Sequence, residues 1–164
     1  MAQRPSFDMN KLTTAEKILG VAGLVFFIDT FLPWQTFDPG FGLGSITCSA
    51  WECNGGALGV LAALLSLVLV VWIVLQVAGV TMNITVDRRM VTVGLAAGTV
   101  LFGLLKFLIA LTGDLGLGWA AWVGLILLLA LAYGAYMKWQ EPREALPPTT
   151  GTMPPAPGPP PPVG

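Results

Sequence analysis

Leu58–Val80, LGVLAALLSLVLVVWIVLQVAGV, carries no charge and one strong polar group, Gln76. An apolar run of about 20 residues is roughly 30 Å long as a helix, which matches the hydrocarbon thickness of a bilayer. The stretch therefore predicts a membrane span over about 57–80. Three further runs of similar length lie over about 14–34, 90–111 and 119–139. The first opens on Thr13-Thr14-Ala15-Glu16, which fits a capping box, and Pro33 loosens its end. Its charged start would suit a signal peptide, but no small-x-small cleavage site follows and Asp29 interrupts it, so it reads as a retained span.

Composition points the same way. Of the 164 residues, 55% are hydrophobic and 10% charged, and the mean hydropathy is +0.77. A soluble domain carries about 25% charged residues, and a small domain buries only about two-thirds of its surface, so so much apolar surface needs lipid. A net charge of −1 argues against a nucleic-acid partner. With no histidine, His triads, His zinc sites and His proton relays are excluded. No P-loop, dinucleotide fingerprint, His-Glu-x-x-His or Gly-x-Ser-x-Gly motif occurs. No enzyme activity, cofactor or metal is expected.

The bases set an orientation. Arg4, Lys11 and Lys17 precede the core of the first run, Arg88 and Arg89 separate the second from the third, and Lys138 and Arg143 follow the fourth. The other two connections carry acids and no base. The positive-inside rule then places both termini in the cytoplasm of a plasma-membrane protein. The expected fold is an all-α integral membrane four-helix bundle, N-in and C-in, over 13–140. A cytoplasmic arm over 1–12 precedes it, an outer loop spans 35–56, and a disordered tail over 141–164 holds ten of the thirteen prolines. Trp34, Trp51, Trp119 and Trp122 are expected to anchor the outer interface, and Tyr136 and Trp139 the inner one.

Two charges fall inside the apolar runs. Asp29 lies roughly 16 Å along the first helix and Lys106 roughly 22 Å along the third, both in the outer half of the bilayer. A lone charge near the bilayer centre costs on the order of 2.5–3.5 kcal/mol. The expectation is that spans one and three are neighbours and that Asp29 and Lys106 form an intramembrane ion pair. The alternatives are that Lys106 snorkels toward Asp114 or lipid phosphate, and that Asp29 is wet. Cys48 and Cys53 fall outside, where a disulfide persists, so they read as a staple or else as two free thiols. Two cysteines without histidine make a poor zinc site. Gly20 and Gly23, Gly55 and Gly59, and Gly94 and Gly98 are spaced for helix packing within the bundle first and for a dimer face second.

Phe31-Leu32-Pro33-Trp34 at the end of the first run, and Ser49-Ala50-Trp51-Glu52 ahead of the second, resemble a group of small four-span membrane proteins common in actinobacteria and of uncharacterised function. In that group a basic arm precedes a span ending in these four residues, and a Ser/Thr-Ala-Trp motif leads into span two. The resemblance implies a topology and brings no active site. A claudin-like reading fails, because the loop is too short and lacks the Gly-Leu-Trp-Cys pattern. The leading expectation is a non-enzymatic structural or accessory protein whose partners are the lipid bilayer and a membrane protein or a second copy of itself. The alternative is a small oligomeric transporter or channel using Asp29 and Lys106.

Overall fold

A computed structural model describes residues 12–40, 44–79 and 87–142. The N-terminal arm up to 11 and the Pro-rich tail from 143, including Arg4, Lys11 and Arg143, lie outside the described residues. Four helices carry the fold: α1 (Thr14–Asp29), α2 (Gly56–Val77), α3 (Arg88–Thr112) and α4 (Trp119–Gln140). The sequence signals for helix starts operate as drawn. Thr13 Oγ1 accepts from Glu16 N and the Glu16 carboxylate accepts from Thr13 N, closing the capping box. Asp87 caps α3 by accepting from Arg89 N at 3.0 Å.

Three of these helices, α2, α3 and α4, are long and apolar enough to cross a membrane. The first is shorter than the expected 14–34. It stops after 16 residues, roughly 24 Å, because Thr30 turns its hydroxyl back onto Phe27 O at 2.6 Å and Pro33 disfavours helix at Leu32. The chain then enters a small sheet that apolar periodicity did not announce. Its strands are β1 (Gln35–Phe37), β2 (Ile46–Cys48) and β3 (Gly116–Leu117), in the order β2-β1-β3 and antiparallel throughout. Thr36 pairs with Thr47 on one side and with Gly116 on the other. Three-residue strands carry too little alternation to be read from sequence.

The helices form a ring. Each packs on its neighbours in sequence, and α4 closes back onto α1. No comparable contact joins α1 to α3, so these two fall on a diagonal. The expectation that the first and third spans are neighbours is therefore corrected. Inside the ring small residues, including Ala22, Ala62, Ala63, Ala96, Ala120 and Ala121, pack with a few large ones, Leu19, Phe26, Leu69, Leu128 and Leu131, all buried. Many other large apolar residues point outward: Val21 and Ile126 are each 66% exposed and Leu129 61%. Ser66 Oγ adds a hydrogen bond across helices to Gly23 O at 2.7 Å, and Trp72 Nε1 donates to Thr92 Oγ1 at 3.0 Å.

The glycines serve different ends from those their spacing implies. Gly23 and Gly98 do face α2, where a Cβ would lie 3.2 Å from Val70 and 3.1 Å from Leu65 respectively. Gly59 instead receives the outer loop, since a Cβ there would overlap the Ala50 carbonyl, and Gly94 meets nothing within 4 Å. Gly59→Ala should therefore lower stability by about 1–3 kcal/mol through overpacking. Gly94→Ala should be neutral or stabilising, by up to about 1 kcal/mol of helix propensity. Thermal unfolding of the two variants in the same detergent checks the contrast.

Candidate functional site

The outer loop does not lie on top of the bundle; it inserts into it. Pro33 directs the chain inward, and the next two side chains, Trp34 and Gln35, are 1% and 0% exposed. Trp34 Nε1 donates to both Asp29 O and Asp29 Oδ2 at 3.1 Å. Its ring meets Phe26 edge-on at 6.2 Å and lies against Gly124 of α4, where any Cβ would strike the indole and come within 2.8 Å of Asp29 Oδ2. A bare backbone at Gly124 is thus the condition for seating both groups.

Gln35 faces the other charge. Lys106 Nζ donates to Gln35 Oε1 at 3.2 Å, to Glu52 O at 3.2 Å and to Asn54 O at 2.6 Å. An ammonium has three donors, and all three are taken by uncharged oxygens of the loop. Lys106 is 0% exposed and Asp29 2%. The expected ion pair between them is not formed: among the described residues both salt bridges are on Lys138. The reason is geometric, because the two charges sit on diagonal helices and the Trp34-Gln35 dipeptide fills the space between, one residue serving each. Neither does Lys106 snorkel, since the loop brings oxygens to it. Two buried atoms stay unpartnered, Asp29 Oδ1 and Gln35 Nε2.

The rest of the loop is fastened to the end of α1. Trp34 N donates to Cys48 O at 2.9 Å and Ala50 N to Thr30 O at 3.0 Å. Trp51 Nε1 donates to Thr30 Oγ1 at 2.9 Å, and its ring lies 4.9 Å from that of Phe31. Gly118 N, between β3 and α4, reaches Trp34 O at 2.8 Å. Cys48 and Cys53 are joined by a disulfide with Cα atoms 6.1 Å apart. The stretches Phe31–Trp34 and Ser49–Glu52 are therefore mutual contact partners.

The aromatic residues divide. Trp34 was expected at an interface and is a core residue; its indole N–H has an internal acceptor and needs no water. Trp51 is half-buried. Trp119 and Trp122 at the start of α4, and Tyr136 and Trp139 at its end, are at least half exposed. Trp122 packs edge-on against Phe107 at 5.7 Å, and the Arg89 guanidinium lies 5.1 Å above the Trp139 ring. Gln35 went unnoticed in the sequence. No signal pointed to Gln35, whereas the bare backbone of Gly124 in Ala120-Ala121-x-x-Gly124 was a usable one for the burial of Trp34.

Chemically, the cluster is a set of saturated or nearly saturated hydrogen bonds around two charges, with no nucleophile and base in contact. Among the described residues no three His, Cys, Asp or Glu side chains converge on a metal position. No family model, curated protein or solved structure matches the chain.

Lys106→Met removes a charged donor from three oxygens and should cost on the order of 3 kcal/mol. Charge exchange, Asp29→Lys with Lys106→Asp, should restore nothing over the single variants, and recovery in denaturant titration would contradict the diagonal arrangement. Replacing both cysteines by serine reopens a loop of sequence separation 5. The expected loss is about 2 kcal/mol, seen as an equal fall in melting temperature on reduction of the native protein.

Proposed function

We propose that the chain is a four-span integral protein of the plasma membrane, with both termini cytoplasmic, acting as a non-enzymatic structural or accessory component. Support for the membrane comes from three helices long and apolar enough to cross it and from the many large apolar side chains on the outer surface, Val21, Ile126 and Leu129 among them. Helices that associate in lipid use small residues at their contacts and turn large apolar ones to the acyl chains. The shorter α1 fits as a fourth span if the bilayer thins or the helix stays upright beside its neighbours. Lys17, Arg88, Arg89 and Lys138 all lie at the end opposite the sheet, which supports the orientation.

The observation that carries the accessory reading is Lys106 held by three loop oxygens. A buried charge committed to fastening the loop makes a rigid cap. That cap displays Phe37 and Ile46, opposite one another on β1 and β2 and 44% and 58% exposed. Paired exposed aromatic and aliphatic groups on a fixed sheet suit a membrane-protein partner or a second copy. A transporter or channel is the second reading, and the unpartnered Asp29 Oδ1 and Gln35 Nε2 favour it, since buried orphans are natural places for water or a passing ion.

Affinity purification from mild detergent, with mass spectrometry, separates the two. The accessory reading expects a stoichiometric partner, or a dimer, that is lost in the Phe37→Ser, Ile46→Ser variant. Solute or ion flux in liposomes with no such partner supports transport instead. For topology, a membrane-impermeant thiol reagent applied to intact cells should label Asp114→Cys and leave Arg88→Cys unlabelled.

A further inference from the structure

We propose that the end of the bundle opposite the sheet binds an acidic phospholipid, with its phosphate in a polar cleft and one acyl chain in a groove between α1 and α2. The site rests on the membrane reading proposed above, not on its orientation, and is independent of the cap. The cleft has a volume of about 210 Å³ and is bordered by Thr13, Gln76, Arg88, Arg89, Lys138 and Glu141. The groove has a volume of about 230 Å³ and is lined by Gly20, Val21, Leu24, Val70, Ile73 and Val74. Leu12, Glu16 and Val77 border both, so the two are continuous.

The cleft carries as many bases as acids, Arg88, Arg89 and Lys138 against Glu16, Asp87 and Glu141. Its acids already have partners: Glu16 takes Thr13 N and Lys138 Nζ, Glu141 takes the same Lys138 at 2.6 Å, and Asp87 caps α3. Lys138 is thereby neutralised from two sides. Arg89 is held in place by the Trp139 ring and by Glu141 O, which accepts from Nη1 at 2.8 Å. Two buried donors then have no acceptor among the described residues, Gln76 Nε2 and Arg89 Nε. Exposed Arg88 stands at the rim and exposed Lys17 on the wall of the groove. Unmet donors beside free cations select a group that only accepts hydrogen bonds and carries negative charge, the description of a phosphate.

The adjoining groove distinguishes a lipid from a free anion. Its wall from Lys17 to Leu24 runs about 10 Å along α1, and apart from Glu16 and Lys17 at its mouth its lining is apolar or glycine. A soluble phosphate would leave this surface unused, whereas an acyl chain attached to the bound headgroup would lie along it. Gly20 helps to keep the groove open: a Cβ there would already be 3.7 Å from Ile73, so a larger side chain would occupy the chain's path.

The test uses the full chain in detergent, titrated with phosphatidylglycerol, phosphatidylcholine or inorganic phosphate and read by native mass spectrometry. Phosphatidylglycerol should bind one to one, at least about tenfold more tightly than phosphatidylcholine, and far more tightly than inorganic phosphate. Arg88→Gln, at an exposed position that cannot unfold the bundle, and Gly20→Leu, which fills the groove, should each weaken it by about tenfold. Equal binding of the two lipids overturns the proposal, as does indifference of phosphatidylglycerol to both substitutions. Inorganic phosphate binding as tightly as the lipid, and unaffected by Gly20→Leu, would make the cleft a soluble-anion site and also overturn it. Because these measurements need no orientation, a failure of the thiol-labelling topology leaves them standing, and the reverse holds too.

Discussion

Insertion of Trp34 and Gln35 between two charges on opposite corners of the helix ring is the constraint on which the upper half of the molecule depends. An unpartnered charge in a low-dielectric interior is expensive, and its partners need not be charged so long as every donor finds an oxygen. Lys106 meets that condition with one side-chain amide and two backbone carbonyls. The price of this arrangement is positional. The loop must arrive at fixed coordinates, and the disulfide, the sheet, the Thr30–Ala50 and Thr30–Trp51 hydrogen bonds and the bare backbone of Gly124 all help to hold it there.

The two ends of the bundle are built on different logic. At the sheet end the polar groups turn inward onto a loop that fills the space between them, and only Asp29 Oδ1 and Gln35 Nε2 lack a partner there among the described residues. At the opposite end the acids and Lys138 satisfy one another while donors on Gln76 and Arg89 remain unspent. A closed end suits a surface that keeps its shape for a partner, and an open one suits exchange with small amphiphilic molecules. The helices between them present many bulky apolar side chains outward and bring alanine, glycine, serine and threonine into their contacts beside Leu19, Phe26, Leu69, Leu128 and Leu131, and a largely apolar exterior is what an oily surrounding medium tolerates.

Much of the helical architecture was legible in the sequence because its signals are long or local. Leu58–Val80 leaves no other reading for its segment, and Thr13 with Glu16 marks a helix start by direct hydrogen bonding. The end of α1 was misplaced because Phe31 and Leu32 continue the apolar run after the backbone has left the helix; hydropathy follows side chains and the turn follows Thr30 and Pro33. Asp29 and Lys106 both lie toward the sheet end of their helices, yet depth along an axis says nothing about position around the ring. The strands escaped notice since two or three residues cannot display a period. Gln35 escaped because a single amide after a tryptophan has the look of an ordinary loop residue until a lysine 71 positions later is seen to need it.

That sequence distance has a consequence for biogenesis. Gln35 leaves the ribosome long before Lys106, and the third strand, Gly116–Leu117, follows later still. Until then the nascent hairpin of α1 and α2 carries an acid, an amide and an indole with no completed cavity around them. The loop's deepest contacts thus wait for the second half of the chain, Gln35 for Lys106 of α3 and Trp34 for Gly118 and Gly124. Quality control that surveys unsealed polar groups would find this chain incomplete until its third and fourth helices are in place.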